Sequence, residues 1–190
     1  MRVPILVFAG STRRDSLNRK LASLAAGAVD AAGGQATLLE LADYPLPLYD
    51  GDLEAAEGLP VNARRLKELF IGHAGLIIVS PEYNSSIPPL LKNTLDWVSR
   101  PLPEQSGYVP FQGKAAALMS ASPGALGGMR GLRHLRDVLT ELRVIVLPGQ
   151  VSVTAAHQAF EEAGDLRDAA MAELMRGLIG ELLGMARRLR

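Results

Sequence analysis

Residues 75–88 read G-L-I-I-V-S-P-E-Y-N-S-S-I-P, an apolar run that ends at a proline and continues as a polar, rigid segment. The run Gly75–Ser80 has the composition of a parallel strand that is covered on both faces. A helix is predicted next, over Pro88–Ser99, and it carries the single tryptophan of the chain, Trp97. Strand, loop and helix in this order form the repeating unit of an α/β protein.

The same alternation recurs along the whole chain. Four further apolar runs predict strands and four further periodic runs predict helices. The strands are Val3–Ala9, Ala36–Leu41, Lys114–Ser120 and Arg143–Leu147, and the helices are Leu17–Ala32, Pro60–His73, Leu126–Leu142 and Leu166–Leu189. Right-handed crossovers leave few topologies. We predict one domain over residues 1–190, a flavodoxin-like three-layer α/β sandwich with a five-stranded parallel sheet in the order 2-1-3-4-5.

The composition and the net charge exclude several classes of function. Twenty basic residues offset twenty acidic ones, so no overall charge favours nucleic acid or an anionic membrane. The absence of cysteine excludes disulfides, thiol catalysis and thiolate metal sites. The first apolar run is short and lacks a small-residue cleavage site, so we predict a cytoplasmic protein. The three histidines are scattered and predict no metal site.

The loop after the first strand, G-S-T-R-R-D-S-L-N over residues 10–18, is rich in hydrogen-bond donors. It matches neither G-x-G-x-x-G nor the Walker A pattern. Its hydroxyl, guanidinium and amide donors stand at the start of a helix, where free N–H groups favour anions. The donors are Ser11, Thr12, Arg13, Arg14, Ser16 and Asn18. Simple N-capping by Asp15 or Ser16 is the alternative, but it explains one residue of the set. We favour a phosphomonoester site.

Two more loops end at the same edge of the predicted sheet, where ligands of such folds bind. In the loop after the third strand, prolines pre-shape the backbone and Glu82–Ser85 offer polar groups and one aromatic face, which suits a flat heteroaromatic ring. A rigid connection with Ser86 capping the next helix is the alternative. The loop after the fourth strand, S-A-S-P-G-A-L-G-G-M-R-G, permits close backbone approach or is only a flexible turn. Trp97 is interpreted as packing or as a subunit contact.

Taken together, G-S-T-R-R-D-S-L-N-R-K-L-A, P-L-Y-D and S-P-E-Y-N-S-S-I-P-P-L-L-K-N-T-L-D-W resemble the NADPH-dependent FMN reductase family, and S-P-G-A-L-G-G also matches. That family includes bacterial quinone, chromate and azo-dye reductases. The resemblance implies non-covalent FMN, NADPH or NADH as co-substrate, small-molecule electron acceptors, and a homodimer or homotetramer.

The resemblance also assigns residues. It places the phosphate on Ser11, Arg13, Ser16, Leu17 and Asn18, with Leu17 acting through its backbone. It places the flavin ring along Pro81, Glu82, Tyr83, Asn84 and Ser85, and a third contact at Ser122 and Gly124. The family carries glycine or a small residue near position 15, so we expect Asp15 to point away and cap the helix.

The implied reaction is a ping-pong transfer of two electrons from NAD(P)H to a quinone, azo compound, chromate or free flavin. The flavin carries the chemistry, so no catalytic side chain is assigned. An FMN-binding electron carrier or redox-sensing module with little turnover is the alternative. The neutral charge balance disfavours a carrier, because such carriers are typically acidic.

Overall fold

The computed structural model describes residues 2–189. Strands and helices alternate along them, with a short 3₁₀ turn at Leu41–Asp43. In chain order the elements are β1 (Pro4–Ala9), α1 (Leu17–Ala31), β2 (Gln35–Leu39), α2 (Gly51–Glu57), α3 (Val61–Gly72), β3 (Gly75–Val79), α4 (Pro89–Val98), β4 (Ala115–Ala121), α5 (Met129–Glu141), β5 (Ile145–Val153) and α6 (Ala169–Arg188).

The strands form one parallel sheet in the order β2-β1-β3-β4-β5, which confirms the predicted topology. β1 pairs with β2 on one side and with β3 on the other, so the chain crosses over beside β1. The carboxyl ends of β1 and β3 diverge there into different loops. That point is where open α/β sheets bind ligands.

Helices cover both faces of the sheet and bury two apolar cores. Val7, Ile77 and Ala117 point toward α1 and α6, whereas Phe8 and Ile78 belong to the core beneath α3, α4 and α5. Successive strand residues therefore face opposite layers, as the period of two requires. Strands buried on both sides appear in the sequence as continuous apolar runs, which explains why β1, β3 and β4 were predictable. None of the described helices is long and apolar enough to cross a bilayer.

The edge strand β5 is longer than predicted. It runs on through Pro148 and Gly149 to Val153, where the sequence predicted an end at Leu147. The pairing with β4 shifts register between Ala116 and Leu118, so the proline and glycine form a bulge within the strand. A bulge on an edge strand accommodates a residue without an N–H.

The segment between the predicted strand Ala36–Leu41 and the predicted helix Pro60–His73 contains a short helix that the sequence did not predict. α2 begins at Gly51 and is capped by Asp50, whose carboxylate accepts from the Asp52 N–H at 2.8 Å. The prediction of a helix from Leu126 is also too long, because Gly127 and Gly128 have φ values of 57° and 84° and α5 begins only at Met129.

Trp97 is fully buried within the chain, so the packing interpretation is correct. Its Nε1 donates to the carbonyl oxygen of Pro47 at 2.8 Å, and its ring meets Tyr49 edge-on with centroids 5.0 Å apart. Asn93, one turn earlier on α4, donates to the same carbonyl at 2.9 Å. The helix α4 thereby holds the segment after β2 against its outer face.

Candidate active site

A cavity of about 310 Å³ opens at the carboxyl edge of the sheet, between the loops that follow β1, β3 and β4. All three loops that the sequence singled out contribute to it. The predicted residues that line it are Ser11, Arg13, Ser16, Leu17, Asn18, Pro81, Glu82, Tyr83 and Ser122. Asn84, Ser85 and Gly124 were predicted as contacts but do not line it. A larger depression of about 670 Å³ lies against α1, the loop over residues 160–165 and α6, away from these loops.

The loop after β1 presents its donors to the cavity at the start of α1. Ser11 and Ser16 are both buried, and each hydroxyl oxygen accepts a backbone N–H at 3.4 Å, from Arg13 and Arg19 respectively. Because these hydroxyls accept in those bonds, their own protons stay available to donate to a ligand. The Arg13 side chain is exposed at the same wall, and the first N–H groups of α1 have no intrahelical acceptor.

Two residues of this loop differ from the sequence-based picture. Ser16 is the N-cap of α1, so the expectation that Asp15 caps the helix and points away is wrong: Asp15 lines the cavity. Asn18 also lines the cavity, but its amide Nδ2 donates to the Ala121 carbonyl oxygen and its Oδ1 accepts from the Ala121 N–H, both at 2.9 Å. This side chain joins the start of α1 to the end of β4.

The loop after β3 contains a tight turn over residues 83–86. The Tyr83 N–H donates to the Ser86 carbonyl and the Ser86 N–H donates to the Tyr83 carbonyl, both at 2.9 Å. The two residues between them, Asn84 and Ser85, have φ values of 50° and 65°. Positive φ at both central positions is the type I′ geometry, which usually takes glycine at its second position. Tyr83 stays about half exposed beside the cavity, with its ring available for contact.

Glu82 connects this loop to α5. Its Oε1 accepts from Arg130 Nε at 2.8 Å, and its Oε2 accepts from the Gly131 N–H at 3.0 Å in the first turn of α5. Burial opposes the ionisation of Glu82, but the bonds from Gly131 and Arg130 outweigh it and hold the pKa of the carboxyl below its ordinary value. The carboxylate is therefore engaged by α5. Ser86 does not cap α4, whose N-cap is Pro88; its hydroxyl lies 3.0 Å from His134 Nδ1 on α5.

The loop after β4 is shaped by its glycines. A Cβ on Gly128 would stand 2.0 Å from the Ser120 hydroxyl oxygen, and the positive φ there also favours glycine. The Ser122 hydroxyl accepts from the Gly124 N–H at 3.2 Å, and the Ser122 N–H donates to Val153 at the end of β5. Ser122 thus sits at the cavity wall with its main chain held by the sheet.

Sequence reasoning missed the residues that hold the three loops in place. Arg19 donates from Nη1 to the Arg13 carbonyl at 3.2 Å and pairs through Nη2 with Glu40 at 2.7 Å. Arg130 and Ala121 are the partners of Glu82 and Asn18. Arg19 and Arg130 carried one signal in the sequence, because each is a cation in the first turn of its helix, where it opposes the helix dipole unless a carboxylate offsets it.

Comparison with known proteins identifies the family. Residues 3–158 match the family model described as NADPH-dependent FMN reductase. The chain belongs to this family. It is 37% identical over 190 residues to an NAD(P)H-dependent FMN reductase of Pseudomonas aeruginosa, covering 99% of this chain and 97% of that protein. It is 36% identical over 146 residues to a quinone reductase of Escherichia coli, covering 77% and 74% of the two chains.

The fold agrees with that of a solved flavoenzyme. FerB of Paracoccus denitrificans, an NAD(P)H:(acceptor) oxidoreductase, superposes with a TM-score of 0.81 and 28% identity, covering 98% of each chain. The predictions of family, flavodoxin-like fold and oxidoreductase class are therefore confirmed. The prediction of FMN with NAD(P)H is confirmed at the level of the family, whose description names both FMN and NADPH.

Proposed function

We propose that this protein is an FMN-dependent NAD(P)H oxidoreductase that reduces quinones and free flavin. The observation that carries the proposal is the meeting of a donor-rich helix start and a proline-shaped polar loop at one cavity beside β1. Family membership supports the same activity, and the curated relatives named above act as FMN and quinone reductases.

The wall formed by the loop after β1 suits a phosphomonoester. Two buried hydroxyls with free protons, the guanidinium of Arg13 and the N–H groups of Leu17 and Asn18 converge there. Charge-assisted hydrogen bonds to a dianion are stronger than neutral ones, and a helix start adds partial positive charge. Asp15 at the same wall opposes the anion. We assign it no contact with the phosphate.

The wall formed by the loop after β3 suits the flavin ring. Because α5 engages the Glu82 carboxylate, we assign the ring contact to the backbone of Pro81 and Glu82 and to the Tyr83 ring, which line the cavity together. We keep Asn84 and Ser85 as shaping residues of this wall through their left-handed backbone. Ser122 forms the third wall, and the Gly124 N–H donates to its hydroxyl oxygen from behind.

When bound, FMN supplies the chemistry by taking two electrons from NAD(P)H and passing them to an acceptor. The side chains that line the cavity would bind and orient the flavin, and backbone N–H groups there would stabilise negative charge on its ring. We propose a ping-pong order, in which the nicotinamide would leave before the acceptor binds. Azo compounds and chromate are further acceptors to test.

We propose further that the protein acts in the cytoplasm as a homodimer or homotetramer that requires neither nucleic acid nor a membrane. The family resemblance supports the assembly, and the balanced charge supports the absence of polyanionic partners. Light scattering on the purified protein measures the mass directly. A monomer at all concentrations would contradict the assembly.

The phosphate assignment is tested by Arg13→Ala in a fluorescence titration with FMN. Loss of a charge-assisted contact should weaken binding by about tenfold or more. Arg14→Ala is the matched control, because Arg14 is also exposed in this loop but does not line the cavity. Equal affinity of wild type and Arg13→Ala for FMN would contradict the assignment.

The activity is tested by steady-state kinetics of the FMN-loaded protein with NADPH and NADH against quinones, free flavins, azo dyes and chromate. Parallel double-reciprocal plots would support the ping-pong order. Tyr83→Ala should change turnover or acceptor preference while FMN content stays normal, because Tyr83 is exposed at the cavity. A protein that binds FMN but oxidises no NAD(P)H with any acceptor would instead be a carrier or sensor.

A further inference from the structure

We propose that Arg19, anchored by Glu40, is a positioning residue that shapes the loop after β1 for a phosphomonoester. Neither residue lines the cavity. The inference rests on the proposed binding of FMN. It adds the reason why this loop presents donors to the phosphate.

The guanidinium of Arg19 joins the loop to the end of the edge strand β2. Its Nη1 donates to the Arg13 carbonyl oxygen at 3.2 Å, and its Nη2 pairs with Glu40 Oε2 at 2.7 Å. The same carbonyl also accepts the Ser16 N–H at 3.2 Å. The Arg13 carbonyl is therefore held by two donors, and one of them is fixed from outside the loop.

A loop that binds a dianion must keep its carbonyl oxygens away from the ligand, because an oxygen dipole facing a phosphate is repulsive. Arg19 and Glu40 lie outside the cavity. The hydrogen bond from Arg19 therefore draws the Arg13 carbonyl oxygen away from the cavity. With that oxygen held, the hydroxyls of Ser11 and Ser16 and the N–H groups at the start of α1 are left to face the cavity. Arg19 acts on the ligand only through this backbone geometry.

Asn18 provides the opposite anchor. It binds Ala121 at the end of β4 through both ends of its amide, whereas the next residue, Arg19, reaches the end of β2. The first turn of α1 is thus held from both sides, across strands that are not neighbours in the sheet. A binding loop fixed in this way loses less conformational freedom when its ligand arrives.

The Arg19–Glu40 pair has little role in stability. Both side chains are about one-third exposed, at 30% and 32%, and ion pairs with that access to water contribute little to folding. Because the pair lies behind the loop, we expect its loss to weaken phosphate binding and to leave the free energy of unfolding nearly unchanged.

The test compares FMN with riboflavin, which lacks the phosphate, by fluorescence titration of the full chain. Arg19→Ala should weaken FMN binding by about tenfold, which corresponds to the phosphate losing roughly one hydrogen bond. The same variant should change riboflavin binding by less than about twofold. Arg19→Gln keeps one donor and should fall between. Arg176→Ala is the control, because Arg176 pairs with Glu173 on α6 away from the cavity and should leave both affinities unchanged.

Circular dichroism and urea unfolding of each variant establish that it is folded. If Arg19→Ala weakens FMN and riboflavin equally, or leaves FMN affinity unchanged, the positioning role is wrong. Wild-type protein that binds neither flavin overturns the proposed function and this inference with it. Wild-type protein that binds FMN more tightly than riboflavin keeps the proposed function whatever Arg19 does.

Discussion

At the scale of single residues, the turn over residues 83–86 holds two non-glycine residues in the left-handed region. An L-residue there costs about 1–2 kcal/mol, and Asn tolerates it better than Ser. Reciprocal hydrogen bonds between Tyr83 and Ser86 keep the turn closed despite this cost. Strained backbone conformations are found preferentially at functional sites. Here the strained residues directly follow Tyr83, whose ring is exposed.

Substitutions at Ser85 should reveal that strain. We expect Ser85→Gly to raise the free energy of unfolding by about 0.5 kcal/mol, because relief of the left-handed cost exceeds the added entropy of an unfolded glycine. Ser85→Val should lower it by about 1 kcal/mol, because a branched side chain suits this region least. Urea unfolding of the three proteins checks the order Gly, Ser, Val. Equal stability of the valine and glycine variants would contradict it.

At the scale of elements, the loop after β3 and the helix α5 are joined by one carboxylate. Glu82 binds both the Arg130 side chain and the Gly131 N–H, so it serves the start of α5 as a helix cap supplied by another loop. The glycine at 131 allows this approach, since a Cβ there would lie 3.3 Å from the Glu82 Cβ. Glu82 therefore ties the proposed ring wall to the start of α5.

We expect Glu82→Gln to lower the free energy of unfolding by about 1–2 kcal/mol near neutral pH, because a charge-assisted bond to a largely buried acceptor is lost. The pKa of Glu82 is depressed in the folded state, so its contribution is present above the unfolded pKa of about 4.3 and is lost as pH falls through the folded pKa. Urea unfolding between pH 7 and pH 3 should show the two proteins converging toward acid. A constant difference over that range would argue against the ionised pair.

A different arginine, Arg136, contacts the bulge in β5. Arg136 donates to the carbonyl oxygens of Leu147 at 2.7 Å and Val146 at 3.3 Å, at the point where Pro148 interrupts the ladder. Partly buried carbonyls left without a donor are costly.

We expect Arg136→Ala to lower the free energy of unfolding by about 1–3 kcal/mol and to speed amide exchange in β5. Arg133→Ala is the matched control. Arg133 lies on the same helix and is exposed, and it has no ion pair or side-chain hydrogen bond within residues 2–189. Its loss should change stability by less than about 0.5 kcal/mol. Similar rates of amide exchange in β5 of both variants would show that the bulge is stable without Arg136.

The inner strands could be predicted from the sequence, whereas the full length of β5 and the short helix α2 could not. The inner strands were predictable because burial on both faces leaves an unbroken apolar run, as in β3. β5 was cut short because Pro148 and Gly149 look like a turn when the neighbouring strand and Arg136 are unknown. The short helix α2 was missed because none of its residues is buried, so it shows no apolar stripe.

The residues of the candidate site also fall into two groups, those that the sequence predicts and those that it does not. Residues that line the cavity stand in local motifs, and nine of the twelve predicted site residues are among them. The residues that hold those motifs act over long sequence separations: 103 residues between Asn18 and Ala121, and 48 between Glu82 and Arg130. No local pattern encodes such pairs, because each depends on which strand ends the topology brings together. Asp15 was misplaced for a related reason, since two neighbouring residues could each have capped α1.

At the scale of the whole molecule, the cavity is built from loops that belong to the same sheet edge, so ligand binding is coupled to global unfolding. Ser11, Glu82 and Ser122 each follow a different inner strand, and the unfolded chain holds none of them together. A ligand that binds only the folded state stabilises it by mass action. The size of that effect depends on the affinity of the assembled site and on no single contact.

We therefore expect FMN at a hundred times its dissociation constant to add about 2.7 kcal/mol to the free energy of unfolding. For a chain of this length each kcal/mol raises the melting temperature by roughly 2–4 °C, so the midpoint should rise by about 5–10 °C. Thermal unfolding followed by circular dichroism measures the shift. Riboflavin at the same concentration should give a smaller shift, because it leaves the wall formed by Ser11, Arg13 and Ser16 without its phosphate. The advantage of FMN over riboflavin should shrink in Arg13→Ala, and an advantage of wild-type size in that variant would place the phosphate away from this loop.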